Sequence, residues 1–552
     1  MNAPTDNFDF QRRARQEMLR EGFQPDFPPP VMAETNSFHP APQEGGGRDL
    51  RDLLWSSIDN AESRDLDQVE WAEPLTGGRI RVLVGIADVD AVVGGNSATD
   101  AHARANATSV YTGGPVFPML PERLSTDVTS LGEGAERRAL IMEFVVGPGG
   151  EVDCADVGAA TVRNKARLNY DQVADWLENR ASQGPAAISS KFKVQSSELE
   201  NRASQGPAPC AISSKFKVQS SKLENRASQG PCAISSKFEV QSSKLENGPS
   251  QGPAMPAGLG EQLLLQQEAA ERLKALRKEH GSVTLGGVES VPIVVNNNVS
   301  GFAFERENPA RDIIENFMVA ANVAMAGFLR ARNAPCLRRV VRTPKRWDRI
   351  QALAAAAGAK LPDAPDSGAL NEFLAQRREA DPDHFPELSL AVVKALGPGV
   401  YVVEHPGAEH EGHFGLAVGD YTHSTAPNRR YADLVMQRLL KASIAGKPGP
   451  YSESALSDLA AHCTEREAAA RHVERFMKKV AAALMLGPQV GRVFDAIVTS
   501  VSPKGTFARL LTVPAEGRVI RGERGLDVGE RMRARLAGVD AGKGFIDLET
   551  AR

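Results

Sequence analysis

The sequence predicts an α+β chain that ends in a small β-barrel, and three observations carry that prediction. Strand-like runs come early, RIRVLVGIADVDAVV at 79–93 and RALIMEFVV at 138–146, rich in β-branched residues and bounded by turn signals. Helical texture follows: in ARDIIENFMVAANVAMAGFLRAR, Ile314, Phe317, Met318, Ala321 and Met325 fall on one face, the period of a buried amphipathic helix. From Gly487 the pattern returns to short alternating strands, GRVFDAIVTSVSPKGTFARLL and onward, with glycine turns every ~8–12 residues, as in a barrel.

Each segment has its own reason. Residues 1–48 are rich in Pro, Asn and Gly apart from one short charged helix around Phe10 to Glu21, so a flexible lead-in is expected. Residues 49–485 carry the strands and helices of a main domain, with further helices at Trp347 to Ala357, Leu370 to Glu379, Arg430 to Ile444 and Ser452 to Leu486. That domain is interrupted at 178–254 by near-identical units: ENRASQGP starts at Glu178, Glu200 and Glu224, and a degenerate copy starts at Glu246. Such units are too polar to bury much by stacking. They read as an exposed, largely disordered insertion between a helix at LNYDQVADWL and its continuation at GLGEQLLLQQEAAERLKALRKEHG. Residues 486–552 form the terminal barrel.

Composition narrows the class. At 552 residues the chain has room for roughly three domains, and 41% hydrophobic with 24% charged residues excludes collagenous, fibrous and wholly disordered proteins. Its 65 Lys and Arg against 69 Asp and Glu leave a net charge of −4, so any nucleic-acid surface is local. The tail from Leu486 supplies one, with 11 basic against 8 acidic residues. No stretch approaches ~20 consecutive apolar residues, and the first residues lack the apolar centre of a signal peptide. A soluble cytoplasmic protein with no membrane contact is expected. The five cysteines, Cys154, Cys210, Cys232, Cys336 and Cys463, are odd in number and lack CxxC spacing; they suggest reduced thiols rather than disulfides or zinc.

Chemistry concentrates in two places. SSIDNAESRDLDQVEWAE sets Asp59, Asp65 and Asp67 within nine residues, with Gln68 next. Carboxylates crowded in this way raise one another's pKa unless a cation neutralises them, and magnesium or manganese held by them can neutralise a phosphate and turn water into a nucleophile. A solvated acidic turn has the same spacing. GDYTHSTAPNRRYADLVMQRLL runs from a loop into a helix with Arg429 and Arg430 at the helix start, where arginines suit phosphate oxygens. The alternative is an arginine ion-paired to Asp433 or Glu474, and His423 alone fits a satisfied loop histidine better than a metal ligand.

Together with the runs GIADVDAVV and SVYTGGPVFPMLPERLSTDVTSL and the tail VGRVFDAIVTSVSPKGTFARLL, these stretches resemble the ribonuclease II (RNB) family of 3′-to-5′ exoribonucleases over most of residues 50–552. The last run looks like an S1-type OB fold. The resemblance implies an RNB catalytic domain of mixed sheets and helices, a Mg²⁺- or Mn²⁺-dependent hydrolysis of single-stranded RNA to 5′-mononucleotides, and catalytic aspartates at Asp59, Asp65 and Asp67. Where the family pattern has a fourth aspartate this chain has Gln68, a neutral metal-site oxygen. A catalytically impaired RNA-binding protein is thus the alternative, and a phosphorolytic enzyme with an S1 tail a further one. Arg429, in TAPNRR where the family has a TSPIRR-like run, would hold the phosphate. Glu474 would lie near the terminal nucleotide. Tyr111 and Phe302, with Phe304 the less favoured register, would stack on the last bases, although each is equally readable as core. Phe507 and Arg509 on early barrel strands would guide RNA, or merely pack and solubilise the barrel. Relatives commonly carry two cold-shock-type OB domains before the catalytic domain, and 48 residues leave no room for them, so an abbreviated RNA channel is expected.

Overall fold

A computed structural model describes residues 8–39, 47–182, 256–285, 290–304, 308–382, 384–404, 412–503 and 505–551. The chain enters through α1 (Phe10–Arg20) and α2 (Pro29–Ser37). Asp9 caps α1 by accepting the Arg12 N–H, and Phe10, Ala14 and Met18, four residues apart, are buried. These three share an apolar cluster with Val473, Met477 and Val480. The segment expected to be a flexible lead-in is therefore folded over 8–39, because the apolar stripe has a partner surface that Pro and Gly content does not reveal. Phe10→Ala is expected to cost about 3–5 kcal/mol of local stability. Limited proteolysis should then release α1 ahead of the rest; an unchanged digestion pattern would contradict this anchoring.

The central sheet comes next: β1 (Arg48–Asp49), β2 (Trp55–Asp59), β3 (Gln68–Pro74) and β4 (Ile80–Ala87), then α3 (Ala98–Asn106), a small hairpin of β5 (Val110–Tyr111) and β6 (Val116–Phe117), and the long strands β7 (Glu136–Val146) and β8 (Val152–Asn169). Strand order is β1-β8-β2-β3-β4-β7, and β7 also pairs with β8, so five strands join in a ring of pairings. The strand expected over 79–93 stops at Ala87. Asp88 there accepts the Ala91 N–H and starts a short 3-10 turn, a local bond that competes with the ladder. β8, 18 residues long, escaped the sequence reading, although its second half alternates buried Val162, Asn164 and Ala166 with outward Arg163, Lys165 and Arg167.

Two helices, α4 (Tyr170–Ser182) and α5 (Leu259–Glu279), flank the repeats as expected; residues 183–255, with most of the insertion, lie outside the described residues. The hairpin β9 (Ser290–Val295) and β10 (Asn298–Phe304) leads into α6 (Pro309–Ala331), whose Phe317 meets Phe144 of β7 edge-on at 6.3 Å between ring centroids. Among the described residues only α6 is long and apolar enough to cross a bilayer by composition, yet 78% of its most apolar window is buried inside the fold. It is the core helix against which the sheet packs.

β11 (Cys336–Val340), α7 (Trp347–Ala356), α8 (Ser367–Ala380), α9 (Phe385–Leu396) and β12 (Val400–Glu404) follow, with β11 antiparallel to β12 and the three helices enclosing a separate apolar core. Last come α10 (Tyr431–Ile444), the long α11 (Glu453–Leu486), and β13 (Val493–Ser502), β14 (Gly505–Leu510), β15 (Glu516–Arg521), β16 (Arg531–Asp540) and β17 (Phe545–Thr550). These five strands close into a barrel in the order β13-β14-β15-β17-β16. Ala482, Ala483 and Leu486 of α11 join the barrel core, so the helix that ends the main domain also seats the barrel. Cys336 and Cys463 are buried free thiols, and burial pushes each up to about 12.

Candidate active site

The acidic motif sits where β2 ends, on a loop fixed by backbone bonds. Asp59, the last residue of β2, accepts the Asn60 N–H and the Ser63 hydroxyl, both at 2.7 Å on Oδ1. Further on, the Leu66 N–H donates to the Ser130 hydroxyl oxygen (3.1 Å), and that hydroxyl donates to the Arg64 carbonyl (2.8 Å). Leu131 N–H reaches the Leu66 carbonyl, and Ala87 N–H the Asp67 carbonyl, each at 2.9 Å. With its backbone bonds satisfied, the loop holds Asp67 buried at 3% exposure at the threshold of β3.

Facing it is the loop before α10. Ser424 gives both its N–H (2.9 Å) and its hydroxyl (2.7 Å) to the Asn322 side-chain oxygen on α6. The Ala426 N–H donates to Asp433 at 2.8 Å. Asn428 bridges to the acidic loop: its N–H donates to Asp67 Oδ1 (3.2 Å), while its side-chain oxygen accepts the Thr129 hydroxyl (2.6 Å). Ser109 N–H holds the Arg429 carbonyl at 3.0 Å. Arg429 is thereby fixed by its backbone with its side chain half exposed, Nε lying 3.6 Å from Asp67 Oδ2.

Tyr111 completes this side. Its hydroxyl lies within the field of the Arg429 guanidinium, and its N–H donates to Glu474 Oε1 of α11 at 3.1 Å. The residue is 43% exposed, but its hydroxyl end is enclosed, and that burial, with Asp65 and Asp67 nearby and Arg429 opposing, pushes the phenol up to about 12. Gly113 makes the turn possible: at φ +81° it lies so close to the β9–β10 hairpin that an added Cβ would stand 2.6 Å from Pro292, so only glycine fits there.

Charge in the pocket is incompletely balanced. Burial raises the Asp65 and Asp67 carboxyls, Asp67 to about 7; Arg429 opposes the rise in both, whereas Asp59 adds to it at Asp65 and Asp65 adds to it at Asp67. The three aspartates of the motif are thus one electrostatic group beside one guanidinium. Their donors are oxygen only, the chemistry that suits magnesium or manganese. Among the described residues no three His, Cys, Asp or Glu side chains are gathered tightly enough to hold a metal ion. Gln68, first residue of β3, is buried and pairs with Ile86 across the ladder.

The remaining candidate residues are paired or packed to different degrees. Arg430 takes the ion-paired alternative: its Nε and Nη2 engage Asp433 at 2.9 and 2.8 Å. The Arg509 guanidinium is held by Glu387 of α9 and ties the barrel to the main domain. Phe302 packs between the barrel core and the α1–α11 cluster, whereas Phe304 is 51% exposed; the favoured register is the packed one. Phe507, paired with Arg518 in the barrel, stays partly exposed. His423 is a satisfied, half-buried histidine, its Nδ1 2.7 Å from the Tyr401 hydroxyl.

Two residues of the site were missed. Tyr170 opens α4 under the Arg311 guanidinium, 4.7 Å from its ring centroid; its phenol is raised by burial and next by Asp59 and Glu70. Glu70, in the middle of β3, is completely buried. The signal for Glu70 was present, a carboxylate in the strand-like run QVEWA that follows the acidic motif.

An RNB domain model matches residues 47–446, which takes in both loops and the whole ring of strands. The chain belongs to the RNB family. A ribonuclease II-type C-terminal S1 domain model matches residues 492–551, the closed barrel. Among curated RNB relatives, ribonuclease R 1 of Lactococcus lactis is 27% identical over 84% of this chain and 49% of its own length. Ribonuclease R of Escherichia coli is 26% identical over 87% of this chain and 52% of its own. The chain therefore spans about half the length of these relatives. The solved apo form of Mycoplasma genitalium RNase R shares the fold with a TM-score of 0.78 at 21% identity, covering 99% of this chain and 78% of that one; the same protein has been solved with ribose-methylated single-stranded RNA.

The electrostatics of this RNB site set a pH dependence of folding. A carboxyl raised from the ordinary 3.8 to about 7 in the fold, as Asp67 is, contributes stability that is complete below the unfolded value and lost as pH rises through the folded one. Asp65 shifts in the same direction. The metal-free protein is expected to melt several degrees higher at about pH 5.5 than at about pH 8, with Asp67→Asn flattening the difference. A wild-type melting temperature that does not fall over this range would show that the carboxyl ionises without penalty.

Proposed function

We propose that this RNB protein is a divalent-cation-dependent hydrolytic exoribonuclease of the cytoplasm, one that takes single-stranded RNA 3′ end first and releases 5′-mononucleotides. The observation that carries the reading is the Asp67–Arg429 pair, a buried carboxylate and a half-exposed guanidinium 3.6 Å apart, set beside Tyr111 within the family's domain. Asp59, Asp65 and Asp67 are the residues that would hold Mg²⁺ or Mn²⁺, which when bound supplies charge neutralisation at the phosphate and lowers the pKa of water. Arg429 orients the phosphate and offsets charge that develops on its oxygens. Tyr111 offers an exposed ring edge for a terminal base, and Glu474 fixes that ring through the backbone.

Incubation with 5′-labelled single-stranded RNA and either cation tests this. Progressive shortening from the 3′ end to a short limit product, with mononucleotides released and no need for inorganic phosphate, is the expected result. Gln68, a neutral amide on the acidic motif, favours one other reading: a scaffold that holds RNA without cutting it. Full-length RNA that persists alongside measurable binding would support that reading, and cleavage restored by Gln68→Asp would explain it. Nucleoside diphosphates formed only with added phosphate would instead identify a phosphorolytic enzyme.

A further inference from the structure

Tyr111 stands on a hairpin too small to hold itself. β5 and β6 pair only Val110 with Phe117 and Tyr111 with Val116, and a two-stranded ribbon that short is marginal on its own in water. What fixes the ring is therefore what packs on the ribbon. Glu474 takes the Tyr111 N–H from one side, and Pro292 closes on Gly113 from another. The third support is α1. Its Phe10 ring, fully buried, lies so close to Gly114 that an added Cβ would stand 2.9 Å from it. Val110 and Phe117 of the ribbon pack in the same apolar cluster as Phe10.

α1 is itself tied to the other elements around this ribbon. Its start is locked to the β9–β10 turn by a reciprocal pair: the Gln11 N–H donates to Asn297 Oδ1 at 2.9 Å, and Asn297 Nδ2 donates to Asp9 Oδ1 at 3.0 Å. Val294, Val299 and Phe302 of that hairpin pack against the Phe10 cluster. One helical turn after Phe10, the Arg13 guanidinium lies 4.3 Å from the Phe476 ring centroid on α11, and its Nε donates to the Gly542 carbonyl, between β16 and β17 of the barrel, at 3.1 Å. A single helix thus joins the Tyr111 ribbon, the β9–β10 hairpin, α11 and the barrel. It contributes no residue to the main core beneath the central sheet, so its contacts serve this corner of the molecule.

Resting on the reading of Tyr111 as a stacking platform, we infer that α1 is a positioning element for the 3′-terminal nucleotide of single-stranded RNA. Phe10 and the Asn297 lock set where the Tyr111 ring stands, and so how firmly the last base is gripped. A ring already in place costs less ordering on binding than one that must be fixed by the base itself. The effect falls on the shortest RNAs, for which the terminal stack is a large share of all contacts. Longer RNA keeps its contacts to the barrel and binds much as before.

The test is a single-stranded oligoribonucleotide carrying 2-aminopurine at its 3′ end, titrated onto the full chain without divalent cation so that nothing is cut. The fluorophore dims when its ring stacks, and Tyr111→Ala defines the unstacked signal. Phe10→Ala removes the wedge. Asn297→Gly breaks both bonds of the lock while keeping the turn's φ of +67°, which glycine adopts freely. Each variant is expected to lose about half or more of the Tyr111-dependent quench, with affinity for long RNA within about threefold of wild type. With cation added, each should leave a final product longer by about one nucleotide or more. Phe10→Leu, which keeps an apolar wedge, should recover most of both effects. Wild-type quench and product length in both Phe10→Ala and Asn297→Gly, even with a lowered melting temperature, would reduce α1 to a structural support and overturn the inference while leaving the nuclease reading intact. Equal emission from wild type and Tyr111→Ala would overturn the stacking platform and this inference with it. Wild-type protein that quenches the probe yet leaves RNA uncut when cation is added would overturn the nuclease reading alone.

Discussion

Asp67→Asn is expected to lower the rate of RNA hydrolysis by about 10³-fold or more, with RNA affinity within about threefold of wild type. Asn keeps the volume and still accepts the Asn428 N–H that reaches Asp67 Oδ1 at 3.2 Å, so the loop should stay in place. What it removes is the anion most deeply buried of the three, the one whose partner is Arg429 at 3.6 Å. An oxygen-donor cation site that loses this charge loses affinity and the neutralisation of the phosphate together, and several kcal/mol of transition-state stabilisation correspond to the stated factor. Binding should survive, because the barrel and the exposed Tyr111 ring lie outside this carboxyl. Single-turnover cleavage at saturating enzyme, paired with filter binding, separates the two quantities. Residual cleavage within tenfold of wild type would remove Asp67 from the chemistry.

Much of this arrangement was legible in the residues. The acidic motif and the arginine motif stand more than 350 residues apart in the chain, yet the Asn428 N–H and the Arg429 side chain both reach Asp67. The amphipathic period of α6 and the alternating tail likewise foretold a buried helix and a closed barrel. What sequence did not disclose is the choice among equivalent partners. Arg429 and Arg430 are neighbours of identical chemistry, and only the register of α10 places Asp433 under the second of them. Phe302 and Phe304 leave the same face of β10 by alternation, but the barrel's seat covers one and not the other. The Glu387 that holds Arg509 stands 122 residues away in sequence and is near it only in the folded chain. α1 is legible as a short helix around Phe10 to Glu21, but composition does not show that its stripe of Phe10, Ala14 and Met18 packs on α11.

That division between two adjacent arginines yields the second large effect. Arg429→Ala is expected to reduce the rate about 10²-fold with the melting temperature unchanged, the usual cost of removing one preorganised donor at a developing oxyanion. Its side chain is half exposed, and its position is fixed by backbone bonds from Ser109 and to Ala426 that alanine retains. Arg430→Ala should do the reverse. Its guanidinium engages Asp433, whose side chain is fully buried and also accepts the Ala426 N–H. Removing the arginine leaves a buried carboxylate short of its counter-charge, a loss of about 3–5 kcal/mol. Arg429→Lys discriminates further, because an ammonium keeps the charge but cannot present a planar fork to a phosphate; recovery should be partial. Thermal melts and single-turnover rates on the three variants form a closed test. A fully active Arg429→Ala protein would show that the phosphate is held elsewhere, and an Arg430→Ala protein that melts as the wild type does would show that Asp433 needs no partner.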